Sequence, residues 1–139
     1  MTRLPLALIT ALLLLTALLT LGCGGPQLKS VTISPSTADA KNFANGQVPF
    51  VATGIYSGSS KPVQLSAANH IMWCVGSSNG ECAGFINPGA SVGPDGLAAC
   101  LSSTSSTVTI LAGTVSSAMP GPDAGQTLKV FGSAQLTCP

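Results

Sequence analysis

The stretch Val48-Pro49-Phe50-Val51-Ala52-Thr53-Gly54-Ile55-Tyr56-Ser57 sets large or small apolar residues at every second position. Val48, Phe50, Ala52 and Tyr56 share one side, and Pro49, Val51, Thr53 and Ile55 share the other. A period of two is that of a β-strand with one buried face. Pro49 has no N–H to give a ladder, which assigns this end of the strand to a sheet edge or to its first residues. Beyond Ser57 the run breaks into Gly58-Ser59-Ser60-Lys61, a turn between two strands.

The same grammar extends outward in both directions. Lys29 to Ser34 places Val31 and Ile33 on one face before Pro35 stops the strand. Ala38 to Gln47 reads as a connection in which Asn45-Gly46 marks a turn. Downstream come a short strand in Pro62–Ser66 and another in Ile71–Val75, where Ile71, Trp73 and Val75 alternate with Met72 and Cys74. Gly93-Pro94-Asp95-Gly96 is a hairpin tip between Ala90–Val92 and Leu97–Leu101. Ser106–Gly113 is strongly β-prone, with Val108 and Ile110 on one side. Thr127–Thr137 reads as a last long strand, irregular at Gly132. No segment after residue 23 has the period of an amphipathic helix. Seven or eight short strands punctuated by turns predict an all-β sandwich over residues 28–139. Trp73, Tyr56, Phe50, Phe85, Phe131 and Phe43 are the large side chains available for its core.

The N-terminus is of another kind. Met1-Thr-Arg-Leu-Pro leads into an apolar run from Leu4 to Leu21, and Gly22-Cys23-Gly24-Gly25-Pro26 ends it. A positive start, an apolar middle and small residues at the exit form an export signal. The run is also near the length of a membrane span, so an uncleaved anchor helix is the competing reading. The glycines and the absence of a Lys or Arg cluster after the run favour cleavage. The boundary Thr20-Leu21-Gly22-Cys23 resembles a bacterial lipoprotein lipobox, with Thr20 where that family prefers Leu. The resemblance implies that residues 1–22 are removed, that Cys23 is acylated, and that residues 23–27 tether the domain to a membrane of the cell envelope. Ordinary signal cleavage at the same bond would instead release a secreted protein.

The chain holds five cysteines. An odd count in an exported protein needs an explanation. Lipid on Cys23 supplies one by leaving Cys74, Cys82, Cys100 and Cys138. Four cysteines allow three pairings, and the sequence alone does not choose among them. Strand parity favours one: with Trp73 turned inward Cys74 faces out, Cys82 is its nearest partner, and Cys100 is left for Cys138. On the chain-entropy account the short loop contributes about 2.6 kcal/mol and the long one about 3.9 kcal/mol. Zinc is disfavoured, because no C-x-x-C pair exists and His70 is the only imidazole.

A wider resemblance covers roughly residues 28–138. The V-x-I-x-P opening of Val31, Ile33 and Pro35, the F-x-A-T-G-x-Y-S run beginning at Phe50 and continuing to Ser59, and the strand bearing Trp73 resemble bacterial immunoglobulin-like domains of the intimin/invasin-associated kind. The second half is similar more loosely, through the hairpin at Gly93–Gly96 and the strand at Thr107–Thr114. The four cysteines and the segment Glu81–Gly89 depart from the family pattern. The resemblance implies a Greek-key sandwich serving as a stalk, spacer or adhesive module on a bacterial surface, without catalysis and without a cofactor.

Composition excludes several classes. Net charge is +1 and only 6% of residues are charged, so there is no basic face for nucleic acid. Gly89-Ala90-Ser91-Val92-Gly93 matches the G-x-S-x-G elbow of hydrolases, but a turn follows where that motif needs a helix. His70 reads as a solvated loop residue. The acids Asp39, Glu81, Asp95 and Asp123 are too dispersed for a calcium loop. Ser102–Thr107 reads as a polar turn. The end loops are the better binding candidates for a glycan or an envelope protein, and the segment Gly76–Gly89 offers Phe85 and Ile86, although Phe85 is expected first to cap the sandwich core. A small secreted enzyme or enzyme inhibitor is the third and less favoured alternative.

Overall fold

The computed structural model describes residues 25–83, 89–101, 105–117 and 126–139. The apolar N-terminal run expected to act as an export signal, Cys23, Phe85 and Ile86 lie outside these residues. The described chain is all-β, with ten strands in three small sheets rather than the seven or eight expected. The difference has two physical sources. Strands of two or three residues leave no period to read. The long run from Val48 also divides at Phe50 into two strands that serve different sheets.

One three-stranded sheet orders β1 (Leu28–Ser34), β4 (Val51–Tyr56) and β5 (Val63–Gln64). A second orders β3 (Gln47–Pro49), β8 (Leu97–Cys100) and β7 (Ala90–Val92). The four-stranded sheet orders β2 (Thr37–Asp39), β10 (Thr127–Cys138), β9 (Ser106–Ser117) and β6 (Met72–Gly76). All pairs are antiparallel except β2 with β10. Phe50 N–H donates to Gly96 O at 3.0 Å, at the point where β3 gives way to β4, so the two three-stranded sheets join along one extended run.

These two sheets meet the four-stranded sheet over a common core, a sandwich-like arrangement. Val31, Ile33, Ala52 and Leu65 enter it from the first sheet and its flank, Val48, Ala90 and Ala98 from the second. Trp73, Val75, Ile110, Ala112, Ala134 and Leu136 close it from the third. Phe50 and Trp73 are its buried rings, whereas Tyr56 and Phe43 only pack against its margin. No polar or charged residue is buried among the described residues. Burying a polar group without a partner costs energy. No member of this core incurs that cost. Among the described residues it falls on Gln126 Oε1, buried without a hydrogen-bond partner. The main core remains a light one, built mainly from Val, Ile, Leu and Ala.

Phe131 belongs elsewhere. It packs with Met72, Cys74, Cys82, Leu111 and Leu128 in a second cluster on the outer face of the four-stranded sheet. Strand β9 is therefore buried on both faces: Ile110 turns to the main core and Leu111 to this second one, each 0% exposed.

Gly132 corrects a sequence expectation. The irregularities of β10 fall between Thr127 and Leu128 and between Leu128 and Val130, while Gly132 pairs in register with Ala112. Its lack of a side chain serves a close approach, because a Cβ there would lie 2.7 Å from Val31 O in β1. Gly132→Ala forces those backbones apart and lowers stability by about 1–3 kcal/mol, whereas Ser133→Ala on the exposed neighbour stays within about 0.5 kcal/mol. Urea unfolding of the two variants measures the contrast.

Candidate functional site

Both disulfides are formed, Cys74 with Cys82 and Cys100 with Cys138, at Cα separations of 5.6 and 5.7 Å. These are the pairs that strand parity favours. The first one fastens residues 77–83 as a strap across the outer face of the four-stranded sheet. Within the strap Ser77 N–H donates to Glu81 O at 2.9 Å, and Ser77 Oγ donates to Asn79 Oδ1. Cys82 N–H donates to Gln126 O, Leu128 N–H to Gly80 O and Ala83 N–H to Val75 O, each at 2.9 Å. Gly80, at φ +88°, sits flat on the Phe131 ring, where a Cβ would come within 2.5 Å of Cε1. Cys74 thus faces away from the main core yet is covered by the strap. Sequence reading missed this covered face. Its signal was the adjacent pair Ile110-Leu111, since a strand with one wet face does not bury neighbours in succession.

The second disulfide lies beside a surface groove. Ala40, Lys41, Phe43, Asn45 and Gly46 form one wall, and Ala99, Cys100, Leu101 and Pro139 form the other, around about 400 Å³. The first wall is made by two short 3-10 turns, Ala40–Asn42 and Ala44–Gly46. Asp39 caps the first: its Oδ1 accepts from Lys41 N–H at 3.1 Å and its Oδ2 meets Lys41 Nζ at 3.1 Å. Asn45 (φ 58°) and Gly46 (φ 66°) close the second, with Gln47 N–H donating to Ala44 O. Two successive left-handed residues suit an Asn-Gly pair and lead directly into a strand. The pairing of Gln47 with Ala99 then sets the two walls opposite each other. Leu101 is 63% exposed at the rim. The ion pair is internal to one wall, so the groove presents balanced charge beside apolar carbon.

Its position follows from register. Leu28 pairs with Tyr56 at one end of β4, and Gln27 is fixed there by Ser57 N–H donating to Gln27 O at 2.7 Å. The groove adjoins Gln47, at the start of the extended run that ends in Tyr56. At roughly 3.3 Å per residue this run spans about 30 Å. The groove therefore occupies the pole opposite the point where the N-terminal segment joins.

The remaining sequence candidates do not converge. Ser91 lies exposed in the middle of β7, paired with Ala99 and not on a strand-to-helix turn. His70 is an exposed residue in left-handed conformation, closing the 3-10 turn Ala67–Asn69. Asp95 accepts from Leu97 N–H at 3.1 Å in the β7–β8 hairpin tip, and Asp123 lies outside the described residues. Among the described residues no three His, Cys, Asp or Glu side chains form a group that could hold a metal ion. Among them, too, no helix is long and apolar enough to cross a membrane.

The geometry defines a disulfide-bonded all-β domain with a covered outer face and a polar groove. No protein-family model matches the chain, and no curated protein matches it.

Replacing Cys74 and Cys82 together by serine lowers stability by about 2.6 kcal/mol and frees the strap, and replacing Cys100 and Cys138 costs about 3.9 kcal/mol. Chemical unfolding measures both, and an apolar-surface dye brightens for the first pair before global unfolding. Ser91→Ala leaves stability within about 0.5 kcal/mol, as for an ordinary surface position.

Proposed function

We propose that the chain is a lipid-anchored, immunoglobulin-like module of a bacterial cell envelope, with a structural or adhesive role and no catalysis. One observation carries this reading: two disulfides take up four of the five cysteines, and the remaining one, Cys23, stands at the end of the apolar N-terminal run. Disulfides belong to oxidising compartments outside the cytoplasm, which agrees with the export-signal pattern. A membrane attachment through acyl chains gains about 0.8 kcal/mol per buried CH₂, and more than one chain makes it firm.

The immunoglobulin-like assignment is supported by the strand plan. β1 pairs with β4, and β2 passes to the opposite sheet beside β10. Trp73 lies in the buried core, as the resemblance requires of its Trp-bearing strand. A spacer or adhesive role suits a domain whose polar surface groups are mostly uncharged.

A second reading is favoured by the groove between Phe43 and Leu101: a module that holds a glycan or an envelope protein at the pole opposite its tether. On this reading the groove's apolar carbon and the Asn45 amide supply contacts that a neutral ligand can use.

The mass of the protein extracted from its native cells tests the anchor. The expected chain begins at Cys23, carries a diacylglyceryl group and lacks four hydrogens for the two disulfides. Cys23→Ala moves the protein from the membrane fraction to the soluble one. A mass that includes residues 1–22 overturns the lipoprotein reading in favour of an uncleaved helix.

A further inference from the structure

The sequence holds two Asn-Gly pairs, Asn45-Gly46 and Asn79-Gly80. In such a pair the backbone nitrogen of the glycine can attack the carboxamide before it, because glycine puts no Cβ beside that nitrogen. In Asn42-Phe43 and Asn69-His70 the following side chain crowds the approach. Asn69 Oδ1 is also held, accepting from Ser66 N–H at 2.8 Å.

The two pairs begin alike. Both asparagines are exposed. Gly46 N–H donates to Phe43 O and Gly80 N–H to Ser77 O, each at 3.0 Å, so each attacking nitrogen must first leave a turn bond. Their surroundings differ. Asn79 Oδ1 accepts from Ser77 Oγ and, at 3.3 Å, from Glu81 N–H. Gly80 is buried against the Phe131 ring, and its carbonyl accepts from Leu128 N–H at 2.9 Å. The Cys74–Cys82 bridge closes the segment around it. The peptide between Asn79 and Gly80 is held on both sides.

Asn45 has no such hold. Its side chain makes no hydrogen bond to a described residue, and a Cβ on Gly46 would meet nothing within 4 Å. Its backbone is also part of the way to the reacting geometry. Closing a ring onto the next nitrogen needs the dihedrals of the first central residue of a type II′ turn, roughly φ +60° and ψ −120°. Asn45 already has φ 58°, with ψ 17°, so one rotation remains. Asn79 lacks the positive φ.

We infer that Asn45 is a site of spontaneous covalent modification, where the Gly46 nitrogen displaces ammonia from the side chain and water opens the resulting ring to an aspartyl or isoaspartyl residue in the groove wall. In the first step a bond forms between Gly46 N and Asn45 Cγ, the Cγ–Nδ2 bond breaks, and the Gly46 amide proton leaves with that nitrogen as ammonia. In the second, water adds to either ring carbonyl. Cleavage of the new N–Cγ bond gives aspartate. Cleavage of the original peptide bond between Asn45 and Gly46 gives isoaspartate, with the chain running through Cγ. Because the nitrogen reacts without its proton, the rate rises with pH.

The consequence falls on the groove. Lys41 is the one charged side chain among its lining residues and is already paired with Asp39. Either product adds an unpaired carboxylate there. The isoaspartyl form also adds a backbone carbon just before Gln47, where pairing with Ala99 opens β3. The groove thus turns from balanced charge to acidic as the protein ages, whether or not it holds a ligand and whether or not the chain is anchored.

The full chain, kept folded in mild detergent at neutral and at mildly alkaline pH, is sampled over time, digested with chymotrypsin and read by fragmentation mass spectrometry. The peptide Ala44–Phe50 gains the mass difference between an acid and an amide, as separate aspartyl and isoaspartyl products, and does so faster at the higher pH. Asn79 converts roughly tenfold more slowly, because two hydrogen bonds must be given up first. In the reduced, urea-unfolded chain the two sites convert at similar rates. On isoelectric focusing the aged folded chain shows a new acidic band that Asn45→Gln abolishes. An Asn45 that stays intact in the folded chain while the unfolded chain converts it overturns the site. So does an Asn79 that keeps pace with it in the folded chain, the same ratio of rates in the unfolded chain, or an acidic band that survives Asn45→Gln.

Discussion

The hydrogen bond from Phe50 N–H to Gly96 O marks the constraint on which the fold depends. One extended run must serve two sheets, and it changes partners at Phe50 without turning its side chain out of the core. Proline at 49 has no N–H to add to a ladder, so the run can leave β8 there without breaking a donor's bond. Gly96, at φ +83°, lets the hairpin backbone come up to Phe50 and under the Trp73 ring. The buried Phe and Trp therefore stand where both three-stranded sheets meet the four-stranded one. Loss of that junction separates the layers rather than loosening a single strand.

Around this junction the core is built from small and medium side chains. Each buried aliphatic group contributes about 1.5–3 kcal/mol, and alanines contribute less. Covalent closure compensates. One bridge ties β8 to the end of β10, and the other holds a strap that makes a second, smaller core on the outside of the same sheet. The strap also shields an apolar outer face that would otherwise be open to solvent.

The strands that alternate strictly were legible in the sequence. Val31 and Ile33, the run from Val48 to Tyr56, and Ile71, Trp73 and Val75 all bury the faces that their period indicates. Elements made by distant pairing were not. Thr37–Asp39 becomes a strand only because β10 lies beside it, and nothing local in those three residues announces it. Gly132 misled because a glycine within a strand marks either a bulge or a close approach, and the sequence does not say which backbone comes near. At the groove, the Asn45-Gly46 turn was legible from its residue types. Its meeting with Leu101 and Pro139 was not, since it follows from the β3–β8 register and the course of β10.

The bridge between Cys100 and Cys138 has a mechanical meaning. A pull applied to the chain at Pro139 reaches Cys138 first and passes through sulfur into β8. Strand β10 cannot then be peeled from that end one hydrogen bond at a time. The load instead enters β8, which is held by β3 on one side and β7 on the other, in a different layer of the domain.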